Sequence, residues 1–445
     1  MIDNVRGAES DRLQSWRFLA VALAVILGVS PAARSAQLEK TAGLSDADRA
    51  AGWKMLFDGK STDAWRGYRK DEFPSKGWEI EDQCLKVEAK GKGGDIITRE
   101  QYGDFELVLE WRVSAKANSG IMYRVIEKHS TSWQTGPEYQ ILDDAGYGDS
   151  LKPGQMSGAL YDLYEPSSAK AMKPTGEFNR TRIRLKDNLL QHWLNGVKVV
   201  ECRTDGDEWS KRIAASKFGK YKGFGLQPRG HIALQEHGHD VWFRNIRIRD
   251  LSAPLPNEVR LFNGKDLVGW NSISTREGTT IDDVWSVKDG ILICKGRPIG
   301  YIRTTADYTN YVLKLDWRFN PVTKKAGNGG ILLRMIGEDT VWPRSVEAQL
   351  QNRNAGDFWN IGRFPMKVVI ERTNGRNTKK THMAERPLGE WNEYEIIVNR
   401  GDVILKVNGE TLNHAWDVEE LPGKICRQSE GAEIHFRNIR LSPIE

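Results

Sequence analysis

An ordered internal repeat governs every other reading of this chain. Leu56-Phe57-Asp58-Gly59-Lys60 returns as Leu261-Phe262-Asn263-Gly264-Lys265, and Trp65, Trp78 and Trp111 return as Trp270, Trp285 and Trp317. Asn118-Ser119-Gly120-Ile121 with Arg124 matches Asn328-Gly329-Gly330-Ile331 with Arg334. Asn195-Gly196 matches Asn408-Gly409, and Phe243-Arg244-Asn245-Ile246-Arg247 matches Phe436-Arg437-Asn438-Ile439-Arg440. Each copy has the length of one domain. The repeat therefore predicts two similar units, at 50–250 and 257–445, joined near Pro254-Leu255-Pro256-Asn257.

Within each copy, short alternating runs such as Phe105-Glu106-Leu107-Val108-Leu109 and Tyr394-Glu395-Ile396-Ile397-Val398 are broken by Gly, Asn and Pro. Alternation of period two marks strands, and Asn-Gly between such runs marks hairpin turns that need positive φ. Helical spacing is nowhere sustained over a long stretch. The economical architecture is all-β: two tandem jelly-roll β-sandwiches, of the kind that often bind sugars.

Basic and acidic residues, 65 and 60, are mixed along the sequence and leave a net charge of only +5. No basic stripe points to nucleic acid as a partner. Phe18–Val29 is a short apolar run behind Arg12 and Arg17, followed by small residues at Ala33 and Ala36. That layout predicts a signal peptide over 1–36, hence a periplasmic or secreted protein with no integral membrane segment after cleavage. Cys84, Cys202, Cys294 and Cys426 are too few for a disulfide scaffold and lack metal-binding spacing, so free thiols are the expectation. No nucleotide-cofactor fingerprint, Ser-centred nucleophile elbow or His-Glu-x-x-His helix is present.

Polar residues that repeat between variable neighbours are the candidates for chemistry. Glu138-Tyr139-Gln140 returns as Glu347-Ala348-Gln349, and strand alternation puts each Glu and Gln on one face. Trp133 and Trp342 precede those acids in polar loops and suit the wall of a sugar site, whereas the other repeated tryptophans suit a core. Arg124 and Arg334 could fork to sugar oxygens or pair with the neighbouring Glu. Gln235 and Gln428 recur before the Phe-Arg-Asn-Ile-Arg strand. Histidine separates the copies: His237 aligns with Glu430, and His192 aligns with Leu405, so copy one alone has groups there that exchange protons near neutral pH. Glu138 and Asp143 also keep a spacing like that of two-carboxylate glycosidases, an alternative confined to copy one because copy two has no second acid there.

Taken together, Leu-Phe-Asp-Gly-Lys, Asn-Ser-Gly-Ile with Arg124, Glu-Tyr-Gln, His192-Trp193-Leu194-Asn195-Gly196 and Leu234-Gln235-Glu236-His237-Gly238 resemble the 3-keto-disaccharide hydrolase family, over essentially 50–445. The resemblance implies concanavalin A-like sandwiches and cleavage of 3-keto-glycosides. A ketone at C3 acidifies the C2 proton, so one base and one enolate stabiliser suffice, followed by elimination of the C1 aglycone and hydration. In those terms His237 is the expected base, with Arg124, or a divalent metal of unknown identity near Glu138 and Gln140, stabilising the oxyanion. Trp133, Gln140, Gln235 and His192 are expected to bind the sugar in copy one. Glu347, Gln349, Arg334, Gln428 and Glu430 are the matching set in copy two, as a second catalytic site or as a lectin-like binding module.

Overall fold

In a computed structural model of the chain, residues 43–445 are described; the leader expected at 1–36 lies outside them. The strands form four antiparallel sheets, two per repeat. In the first repeat the larger sheet runs, in spatial order, through Val197–Arg203, Leu189–Leu194, Asn179–Lys186, Phe105–Val113, Val241–Asp250, Cys84–Val87 and Trp78–Glu81, with Trp53–Phe57 also on Val241–Asp250. The smaller sheet is Trp65–Gly67, Ile96–Thr98, His231–Leu234, Asn118–Val125 and Glu138–Leu142. Copy two repeats this plan and lengthens its smaller sheet with Phe358–Ile361, Thr373–Asn374 and Asn377–Thr378.

Alternation explains which residues meet between the sheets. Leu107, Leu109 and Trp111 face Ile121, Tyr123 and Tyr139 in one core, while Leu313, Leu315 and Trp317 meet Ile331, Leu333 and Ala348 in the other. The Asn-Gly turns adopt the conformation they were expected to need, with φ of 48° and 86° at Asn195 and Gly196, and 50° and 83° at Asn408 and Gly409. All four cysteines are buried free thiols. The longest departure from the strand-only reading is a ten-residue helix, Gly206–Ala215, which is seated by the buried Trp209 and opens an arm found only in copy one.

The two sandwiches pack back to back. Val108, on the outer face of the first large sheet, meets Val312 and Ile397 on the outer face of the second, with Trp53 and Ile444 completing the patch. Around it lies a buried ionic lattice. Arg249 contacts Glu106 at 2.7 Å and Glu395 at 2.5 Å. Lys314 and Lys406 each lie 3.2 Å from Glu395, and Glu393 holds Arg184 at 3.0 Å together with Lys186.

Copy two has one energetic oddity. Arg427 stands where copy one has Leu234; it is fully buried among core residues, and its Nε and Nη2 have no hydrogen-bond partner. Burial pulls its guanidinium down to about 10. Only Nη1 is satisfied, donating to the Cys426 carbonyl at 3.1 Å, and a buried charge without a counter-ion is costly, a cost that an apolar residue would relieve. Arg427→Leu is therefore expected to raise the unfolding midpoint of the protein in denaturant; an unchanged or lowered midpoint would mean that the guanidinium is better satisfied than its surroundings indicate.

Candidate functional site

The outer face of each smaller sheet carries the repeated acid. Glu138 pairs with Met122 and Glu347 with Leu332, and each carboxyl lies over the glycine two residues earlier on the partner strand. A Cβ on Gly120 would overlap the Glu138 carboxyl, and one on Gly330 would overlap both Glu347 and Gln428. The repeated glycine is thus explained by space rather than by an unusual φ.

In copy one, Glu138 retains 6% of its surface, and burial pushes its carboxyl up to about 8. Nearby Asp95 raises it further, and the Lys217 ammonium opposes the rise. Asp95 lies at the start of a small-sheet strand, where its carboxylate contacts the Ser132 hydroxyl and accepts the Glu236 N–H at 3.0 Å. The next residue is His237, exposed in the turn, close enough to favour the Asp95 carboxylate against the penalty of burial. Asp95 is thus coupled electrostatically to Glu138 and, separately, to His237. Lys217 comes from the helical arm, its Nζ 4.1 Å from the Tyr161 ring centre and 5.4 Å from that of Trp133.

The other expected residues divide. Gln140 shares the face of Glu138 and donates to Asn118 at 3.1 Å; Gln235, next along from core residue Leu234, is tied to Gly120 through its backbone. Trp133 is half-buried and meets Tyr221 edge-on.

Arg124 does not reach this group. It and Arg334 sit at φ of 53° and 49°, where the strand bulges and alternation ends. Arg124 instead turns toward Asp104 at 3.8 Å and Asn188 at 3.5 Å, while Arg334 donates to the carbonyls of Val418, Glu419 and Arg400. His192 is also displaced from the expected role. It is sealed in the core, 3.1 Å from the Tyr123 hydroxyl and 3.1 Å from the Gly158 carbonyl, and burial drives its imidazole down to about 3. Asp143, five residues from Glu138 and so of opposite parity, accepts the Lys116 N–H at 2.8 Å and the Thr175 hydroxyl at 2.7 Å. It anchors loops and offers no second carboxylate to Glu138.

Copy two holds a cavity of about 320 Å³ lined by Glu347, Glu430, Asn328, Gln349, Trp342, Trp359 and Arg376, among others. Burial and the neighbouring Glu430 push Glu347 up to about 8. Gln349 spends its carbonyl oxygen on the N–H groups of Leu350 and Gln351, both at 2.8 Å. Arg334 does not line this cavity.

Among the described residues no cluster of three or more His, Cys, Asp or Glu is placed to hold a metal ion. No chemical step is routed through a divalent ion.

Asp95 and Lys217 escape sequence reasoning because neither repeats: strand register places Tyr301 at the position of Asp95, and copy two lacks the arm altogether. The available signal for Asp95 was an acid between Gly93-Gly94 and the apolar pair Ile96-Ile97.

Comparison with known proteins agrees with this organisation. A model of the 3-keto-alpha-glucoside-1,2-lyase-like domain matches residues 52–249 and again 257–442. A 3-keto-disaccharide hydrolase of Bacteroides thetaiotaomicron is 35% identical over 257 residues, which span 51% of this chain and 87% of that protein. Two solved structures of candidate glycosyl hydrolases from Parabacteroides distasonis are 32% and 29% identical. They cover 47% and 45% of this chain and 99% of each of theirs, with TM-scores of 0.44 and 0.36. Matched along most of both sandwiches, the chain belongs to the 3-keto-alpha-glucoside-1,2-lyase-like family and carries its domain twice.

Proposed function

We propose that this is a glycoside-cleaving enzyme whose first sandwich acts on sugars already oxidised at C3, and that it works after export directed by the apolar run Phe18–Val29. What supports the reading is a carboxyl kept protonated at neutral pH, Glu138, coupled electrostatically to Asp95, which is coupled in turn to the solvent-reachable imidazole of His237.

The chemistry follows from those three groups. His237 takes the C2 proton, and the C–H electrons form a C2–C3 double bond as the ketone oxygen gains negative charge. Glu138 in its neutral form donates a hydrogen bond to that oxygen, the role a buried carboxylic acid is suited to play. Asp95 stabilises the imidazolium. The enolate then collapses, the C1–O bond breaks, and the leaving oxygen takes the proton from His237. Water adds across the resulting enone, its hydroxyl to C1 and its proton to C2, so the net reaction is hydrolysis with no redox change. Lys217 adds positive charge to the same wall.

Because the folded value of Glu138 lies above the ordinary 4.5 of its side chain, the donor form is present at neutral pH and is lost as pH rises through about 8. Activity on a 3-keto glucoside is expected to fall across that range. Glu138→Gln keeps a donor and should retain far more activity than Glu138→Ala while losing the alkaline fall; equal inactivity of the two would refute the donor role. A second reading is favoured by the nearness of Asp95 to Glu138, since two carboxyls on one face suit an ordinary glycosidase. Cleavage of the unoxidised glucoside would establish it, and cleavage of neither sugar would leave a lectin.

A further inference from the structure

We infer that the second sandwich carries a separate binding site for neutral pyranosides, in which Trp342 and Trp359 stack on the sugar ring while Glu347 and Glu430 bracket adjacent hydroxyls. This goes beyond the reading of the first sandwich and does not depend on it.

The cavity is walled differently from its counterpart. Register puts Tyr301 where Asp95 stands, Glu430 replaces His237, and the arm bearing Lys217 is missing, so the imidazole, its carboxyl partner and the ammonium have no equivalent. In its place, the additional strand Phe358–Ile361 pairs with Arg344–Gln349 and brings Trp359 directly opposite Glu347. Trp342 is 42% exposed, one of the few large apolar side chains left open to water. An open indole on a cavity wall shared with Trp359, Ile361, Arg376, amides and carboxyls is the surface that the C–H face of a sugar covers. The volume of about 320 Å³ lies at the small end for ligand cavities and suits one or two rings.

Charge selects the class of sugar. With Glu347 protonated, the two acids offer one donor and one carboxylate acceptor, a match for neighbouring hydroxyls that each accept and donate. Arg376 also lines the cavity, its guanidinium 6.0 Å from the Trp359 ring centre, and its charge acts on Glu347. The near-neutral balance favours an uncharged pyranoside, and a uronate would meet the Glu430 carboxylate.

The test is a titration of the full chain with unoxidised cellobiose, maltose and lactose, and with digalacturonate as the charged comparison, followed by tryptophan fluorescence and calorimetry. Saturable binding of at least one neutral disaccharide is expected. Trp342→Ala, a surface change that leaves the core intact, and Trp359→Ala should each weaken it more than tenfold. Glu347→Gln, which mimics the protonated acid, should retain binding that Glu347→Ala loses. The inference is overturned if no neutral disaccharide binds, if digalacturonate binds more tightly, or if binding survives both tryptophan changes and is lost in Trp133→Ala, which would put the sugar in the first site. Cleavage of a 3-keto glucoside is read separately, so failure here and failure of the proposed enzyme activity are distinguishable.

Discussion

His237→Ala is expected to slow cleavage of a 3-keto glucoside by roughly 10²- to 10⁴-fold, the usual contribution of a positioned general base, while substrate binding is nearly retained. The side chain is exposed in a turn and supports no core, so folding should be unaffected. Asp95→Asn is the companion change. It removes the charge that stabilises the imidazolium, so it should lower the rate and move the acid limb of the pH profile to lower pH. A merely structural Asp95 would leave the profile in place. Full activity in the His237→Ala chain would remove the elimination mechanism from this site.

The second large effect belongs to the contact between the sandwiches. Arg249 is 2% exposed, between Glu106 and Glu395, which are 5% and 1% exposed at their side chains. Arg249→Leu leaves both carboxylates buried and without their shared cation. Removing one partner of a buried ionic group typically costs about 3–5 kcal/mol, so the unfolding midpoint should drop sharply in thermal or denaturant melts. Glu106, Glu393 and Glu395 are all held below the ordinary carboxylate range: burial works against ionisation, and the surrounding Arg and Lys charges outweigh it. The stability they supply is present above about pH 4.5 and is lost as the solution is acidified through their lowered folded values. A variant as stable as the parent would show that the lattice adds nothing net.

Much of this architecture was legible because strand alternation and repetition are both local in sequence. Glu138 and Gln140 could be placed on one face from period two alone, and Asn195-Gly196 announced its own turn. The same rule, carried further, would have found His192, which alternates with Leu190 and Leu194 and shares their core face. Alternation failed at Arg124 and Arg334 because a residue at positive φ ends the strand's parity and swings its side chain away, a backbone event that their neighbours do not announce. Asp95 and Lys217 were hidden for another reason. Each reaches the Glu138 face from a different stretch of chain, and only the folded sheet makes them neighbours.

Back-to-back packing also decides what the two outer faces can do for one another. Four stacked sheets separated by about 10 Å set them roughly 30 Å apart on opposite sides of the molecule. Sugar leaving one face must cross bulk water to reach the other, so no intermediate is handed over inside the protein. Occupancy at the two ends should be independent, with a coupling free energy near zero. What the arrangement does permit is bridging: one end can hold a glycan at a surface while the other stays open to passing substrate, and tethering of that kind raises local concentration without adding a single contact at the reacting centre.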